Sequence, residues 1–174
     1  MIKYATRLPP GKGVKILNDT TIRKNGLCSE IKTLNCITAL ANHFISKPDP
    51  LVVPIYNFEI IDAVKNPYKY RYDMRRLGIL NSIERDIVDI AGNLADRYDS
   101  DALHHMQDSD DYKKYGYEYA ELFSFLKEVL KLNRYYDLHS GNVMIDLEDN
   151  YRLVDIEGFI RTPLELRCND WIIR

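Results

Sequence analysis

Asp137 and Asn142 stand five residues apart in Asp137-Leu-His-Ser-Gly-Asn142, and Asp155 follows thirteen positions after the Asn in Leu153-Val-Asp155-Ile-Glu157-Gly158. Phosphoryl transfer to a hydroxyl uses such a set. One carboxylate orients the acceptor, while an amide oxygen and a second carboxylate hold magnesium on the phosphates. The intervening residues supply a way to bring the set together. Val143-Met-Ile-Asp146 and Tyr151-Arg-Leu-Val154 predict two short strands, with Leu147-Glu-Asp-Asn150 as their turn. Asp137 and Asn142 then lie on the loop entering the hairpin, and Asp155 leaves it. Folding the hairpin returns Asp155 toward Asn142, so that both share one metal. Gly141 and Gly158 fall where the chain must turn tightly or approach a phosphate closely.

The rest of the chain must carry this hairpin. Residues 2–8 and 14–17 read as short strands joined by the turn Pro9-Pro-Gly-Lys-Gly13. Apolar Ile31, Leu34, Ile37, Ala41 and Phe44 recur at helical spacing and predict a helix from about Ser29 to Ile45, ended by Ser46-Lys-Pro48. Strand character returns in Leu51–Tyr56, interrupted by Pro54, and in Tyr68–Met74. Leu80, Ile83, Ile87, Ile90, Leu94 and Tyr98 mark a second helix, and Tyr119 to Leu130 a third. Between those two, the Asp-rich stretch 96–111 reads as a solvated linker or helix end, and its His104-His105 pair as polar surface rather than a metal site. The pattern is α+β: a small strand-rich N-terminal part, then a helical part carrying one hairpin.

Composition bounds the class. At 174 residues the chain has one domain's length, with ordinary apolar and charged fractions. A formal charge of -2 gives no electrostatic argument for nucleic acid or an anionic membrane as partner. Thirteen tyrosines, many beside Lys or Arg, suit a wet core edge or a binding face. Cys28, Cys36 and Cys168 form no CxxC pattern. With no apolar stretch long enough to span a bilayer and no targeting segment read at Met1, the expected location is a reducing cytoplasm, including that of a host cell.

Asp137-Leu-His139-Ser-Gly141-Asn142 and Asp155-Ile-Glu157-Gly158 resemble the catalytic and metal-binding loops of the protein kinase-like superfamily. The Asp-Leu-His-x-Gly-Asn form is most similar to atypical and small-molecule members, such as aminoglycoside and choline kinase-like proteins, and to compact bacterial and phage kinase-like proteins. The resemblance implies a minimal kinase-like fold. A reduced N-lobe and hinge would occupy residues 1–77, with the hinge in Tyr68–Leu77, and a truncated helical C-lobe residues 78–174. It makes Asp137 the acceptor-orienting base and Asn142 and Asp155 the magnesium ligands, with ATP as the phosphoryl donor. Gly158 is expected at the nucleotide. Lys15 is similar to the strand lysine that holds the α and β phosphates, and Glu30, fifteen residues on, to its ion-pair partner. Lys12, Lys24 and Lys32 are competing sources of that charge. Glu157 either adds a carboxylate to the metal or faces solvent, and His139 braces the loop or reaches phosphate.

The chain departs from that family in four places. Fourteen residues before Lys15 are too few for two strands with a glycine-rich phosphate cover between them. Tyr135 stands two before Asp137, where protein kinases usually have His. The metal triplet is Asp-Ile-Glu rather than Asp-Phe-Gly. Only sixteen residues follow Gly158, so no long activation segment or helical substrate-binding subdomain is expected. The leading expectation is a compact protein Ser/Thr kinase, of the kind a phage or a bacterial effector supplies. A small-molecule hydroxyl kinase is the near alternative, and a pseudokinase that binds or blocks a partner is the other class. A protein substrate or host protein is the expected partner, and self-association is a further way to cover the helix faces of a truncated lobe.

Overall fold

In the computed structural model, residues 13–160 are described; the strand expected at 2–8 and most of the turn before Gly13 lie outside them. The chain is a mixed α+β fold, with a sheet first and helices after it. Strands β1 (Val14–Ile16), β2 (Thr21–Cys28), β3 (Ile55–Asp62) and β4 (Tyr68–Arg75) form an antiparallel sheet in the order β1-β2-β4-β3. Helix α1 (Ile31–Ser46) joins β2 to β3 and buries Leu34, Ile37, Leu40, Ala41 and Phe44, largely the face its periodicity predicts. Among the described residues, no helix is long and apolar enough to cross a membrane.

β2 is the element that the sequence pattern hides. Its inward positions are Ile22, Lys24, Gly26 and Cys28, of which only Ile22 is a large apolar residue, and Asn25-Gly26 mimics a hairpin turn. Pairing with β4 explains the composition. In register, Gly26 faces Tyr70, and a Cβ at Gly26 would lie 2.1 Å from the Tyr70 ring. The glycine is the space the tyrosine occupies. Strand β3 begins later than expected, because Leu51–Val53 pairs with the hairpin instead of the sheet and Pro54 accepts a hydrogen bond from Arg75 N–H.

After the sheet come α2 (Ser82–Tyr98), α3 (Ala102–Asp108), α4 (Asp110–Tyr115) and α5 (Ala120–Leu132). Asn81 and Glu84 close a reciprocal capping box at the start of α2, and Glu84 also accepts from the Tyr151 hydroxyl at 2.7 Å. The stretch read as a linker is therefore mostly helical. Ala102 and Met106 are buried, while the Asp side chains stay on the outer face, which is why local polarity masked the helix. Asn133 ends α5 in a left-handed conformation.

The hairpin β5 (Val143–Ile145) and β6 (Tyr151–Leu153) forms where the sequence places it. Two crossing segments hold it by backbone hydrogen bonds. Val53 N–H donates to Leu153 O and Leu153 N–H to Leu51 O, at 2.9 and 2.7 Å. Gly78 and Ile145 exchange a pair at 2.8 and 3.0 Å. The hairpin thus takes its position from the chain leaving α1 and the chain leaving β4.

Asp146 closes the turn of the hairpin at 2 % exposure. It accepts from Glu148 N–H, from Asn150 N–H and side chain, and from the Arg152 guanidinium at 3.2 Å. Burial alone would raise its pKa, but the Asn150 and Arg152 donors outweigh burial and hold it below the ordinary value. We expect Asp146→Asn to cost about 2–3 kcal/mol at neutral pH, measured by urea unfolding. Because the folded pKa is lowered, the difference from wild type is fully present above about pH 4 and shrinks as pH falls through the folded value.

Candidate functional site

The loop between α5 and β5 is braced from within and from α2. Asn142, 7 % exposed, donates through Nδ2 to Asp137 O and Oδ2 at 2.9 and 3.0 Å. Asn142 N–H donates to His139 O, and Gly141 N–H to His139 Nδ1 at 3.1 Å. That bond leaves the imidazole proton on Nε2, which lies 3.7 Å from Asp137 Oδ2. From α2, Asp89 accepts from Ser140 N–H and Oγ–H at 2.6 and 3.0 Å. One turn further along the same helix, a Cβ on Gly92 would lie 1.9 Å from Leu138 O, so the loop rests directly on helix backbone. Asp89 and Gly92 were not singled out from sequence; their spacing on the face of α2 that bears the loop is the only signal they give.

The other half of the site forms where the sheet meets the hairpin. Lys24 Nζ lies 2.9 Å from Asp155 Oδ1 and 3.1 Å from Glu157 Oε2. Glu157 also accepts from two of the three tyrosines of β4: the Tyr70 hydroxyl reaches Oε1, and the Tyr72 hydroxyl reaches Oε2 at 3.2 Å. Asp155 Oδ1 accepts from Glu157 N–H at 3.1 Å, and Asp155 O from the Tyr135 hydroxyl at 2.9 Å. Val154 N–H donates to Asn142 O at 3.0 Å, which ties this half to the loop.

Electrostatics follow from that geometry. Burial would lower the pKa of Lys24, but the carboxylates of Glu157 and Asp155 outweigh it and keep the ammonium charged. Burial also pushes Asp155 up, yet its hydrogen bond with Glu157 and the charge of Lys24 bring it below the ordinary value. Glu157 moves the other way, raised by burial and then by its neighbour Asp155. Asp155 is therefore the more readily ionised of the two carboxyl groups. Burial and then the Asp155 and Asp137 charges raise the Tyr135 hydroxyl, which stays a donor.

Asp137 and Asn142 are hydrogen-bonded, and Val154, next to Asp155, donates to Asn142 O; Lys15 and Glu30 do not join them. Lys15 is exposed on β1 opposite Arg23, on the outer face of the sheet where Arg23 pairs with Asp73. The strand alternation that puts Lys24 inward puts Lys15 outward. Glu30 is exposed at the N-terminus of α1, and among the described residues no ion pair joins it to Lys15. The lysine beside Asp155 is Lys24 rather than Lys15, and its carboxylate partners are Asp155 and Glu157 rather than Glu30. Lys32 is exposed on α1, and Lys12 lies outside the described residues. Gly158 is buried against Tyr135, whose ring would meet a Cβ at 2.5 Å; the glycine makes room for that ring.

Among the described residues no cluster of three or more His, Cys, Asp or Glu could hold a metal by itself. Magnesium on a nucleotide does not require one, since it takes one or two protein oxygens plus phosphates and water. Asn142 and Asp155 fit that role, because the amide nitrogen of Asn142 is committed to Asp137 and leaves Oδ1 to ligate. His104 and His105 do not form a site: His104 pairs with Asp108 on the surface and His105 stacks on Tyr98. Compared with known proteins, the chain matches no family model, no curated protein and no solved structure.

Gly92→Ala tests how rigidly α2 carries the loop. Helix propensity favours Ala by about 1 kcal/mol. Contact with a backbone carbonyl that cannot swing away costs about 1–3 kcal/mol. We expect net destabilisation in thermal unfolding, with the largest amide shifts in NMR spectra at residues 137–142.

Proposed function

We propose that the chain is an ATP- and magnesium-dependent phosphotransferase with a minimal kinase-like fold, acting on a hydroxyl acceptor. The observation that carries this reading is the meeting of Lys24 with Asp155 at 2.9 Å, beside a loop that presents Asp137 and Asn142. A cation from the sheet and a carboxylate from the hairpin meet at one seam, supplying the opposite charges that phosphates and their metal would engage. Gly13, with a left-handed backbone, borders the same place: it precedes Val14, which pairs with Lys24. Tyr135, standing where protein kinases usually have His, donates to Asp155 O and braces the backbone at that carboxylate.

On this reading each side chain has one task. Asp137 orients the acceptor hydroxyl and takes its proton as the γ-phosphoryl leaves ATP in line. Lys24 offsets charge on the phosphates, and the loop, braced by Asn142 and Asp89, fixes the distance between acceptor and donor. Magnesium, held by Asn142 and Asp155, would neutralise charge on the phosphate oxygens. The Asp137 side chain is 59 % exposed, an open position that favours a Ser or Thr hydroxyl on a protein over an enclosed small molecule.

Calorimetric titration with ATP, with and without magnesium, tests the proposal. Wild type should bind only with magnesium, and Asp155→Asn should bind about tenfold or more weakly. No binding by folded wild type at millimolar nucleotide would overturn the proposal in favour of a pseudokinase that acts by holding a partner.

A further inference from the structure

We propose that Glu157, held by Tyr70 and Tyr72, is the positioning residue for Lys24, so that the phosphate-facing lysine is set from the hairpin and the sheet rather than from helix α1. What Lys24 then does with phosphate rests on the phosphotransferase reading; how it is held does not.

Three observations carry the assignment. Glu157 has no oxygen to spare: Tyr70 takes Oε1, while Tyr72 and Lys24 take Oε2. A carboxylate so occupied is a bracket for an ammonium, and it does not simply face solvent. Second, the bracket is built from residues in register. Tyr72 lies opposite Lys24 on the neighbouring strand, and the ammonium sits 5.7 Å from its ring centre. Tyr70 lies opposite Gly26, whose missing side chain opens its path toward Glu157. Third, α1 offers no competing group. Its N-terminal Glu30 and Lys32 are both exposed, and Glu30 makes no side-chain cap.

The arrangement differs in kind from a lysine held by a carboxylate on a helix. A helix can swing and carry its carboxylate away. Glu157 sits two residues from Asp155, on the short turn Ile156–Phe159 that is packed through Phe159 onto Phe44 and Tyr135. The lysine and the metal-facing carboxylate therefore share one rigid mount.

Two readouts on the full chain separate this inference from the functional reading. Hydrogen exchange of the Lys24 ammonium, followed by NMR in protein labelled at lysine nitrogen and assigned with Lys24→Met, needs no nucleotide. Glu157→Gln keeps the size of the side chain and should speed that exchange about tenfold or more, the effect of losing one charged hydrogen bond. Tyr70→Phe should act in the same direction, which keeps the test alive if Glu157→Gln unfolds. Glu30→Gln should change nothing. In turnover, Glu157→Gln should lower kcat about tenfold while KM for ATP stays within about threefold, the signature of lost positioning rather than lost binding. Unchanged Lys24 exchange in Glu157→Gln, or equal acceleration in Glu30→Gln, would overturn the inference. Absence of turnover in wild type would instead count against the phosphotransferase reading, and the exchange data would still decide how Lys24 is held.

Discussion

Lys24 carries its charge into the seam between sheet and hairpin, and the groups around that seam are arranged to keep it there. Desolvating an ammonium costs several kcal/mol, and two carboxylates with further donors are what make its position tolerable. Because the site is only partly buried, the net contribution to stability is small. The specificity is large, however. Removing one partner from a buried charge group typically costs about 3–5 kcal/mol, far more than the group contributes when intact. The seam therefore fixes geometry more than it stabilises the fold. Tyr70, Tyr72 and Tyr135 are part of the same constraint, each donating into the cluster from within the core.

Everything else in the fold serves to present the two sides of that seam. The β2–β4 pairing sets Lys24 against Tyr72, and α1 packs behind the sheet on β3 and β4. The hairpin cannot drift, because Leu51–Val53 and Gly78 bond to its two strands from different directions. Helix α2 supports the loop through Asp89 and Gly92, so Asp137 and Asn142 sit on a floor of helix backbone. One continuous hydrophobic cluster, from Ile22 in β2 to Phe159 beyond the hairpin, joins these supports. Preorganisation of this kind suits electrostatic catalysis, in which groups must be in place before charge develops.

The sequence made the hairpin and its three polar residues legible because they are local: strand, turn and strand lie within about a dozen residues, and the loop precedes them directly. Helices α1, α2 and α5 were legible for the same reason, each carrying its own periodicity. Strand β2 was not. Its inward face is Ile22, Lys24, Gly26 and Cys28, a pattern that makes sense only once Tyr70 and Glu157 are in place across the seam. Lys15 was the nearer match by spacing, but strand alternation turned it to the outer face with Arg23. The role of Glu157 was equally invisible, since its partners are eighty-five and eighty-seven residues distant for the tyrosines and one hundred and thirty-three for Lys24. Long-range polar pairing leaves no periodic trace, so the loop and hairpin could be read while the lysine that meets Asp155 could not.

The most direct test of the account is transfer of label from γ-labelled ATP, with magnesium, by wild type and by Asp137→Ala, to added protein substrates, to the chain itself, or to water. The account predicts magnesium-dependent release or transfer by wild type and a loss of about a hundredfold or more in the variant, the scale of a removed general base. Equal rates in the two folded proteins would contradict it.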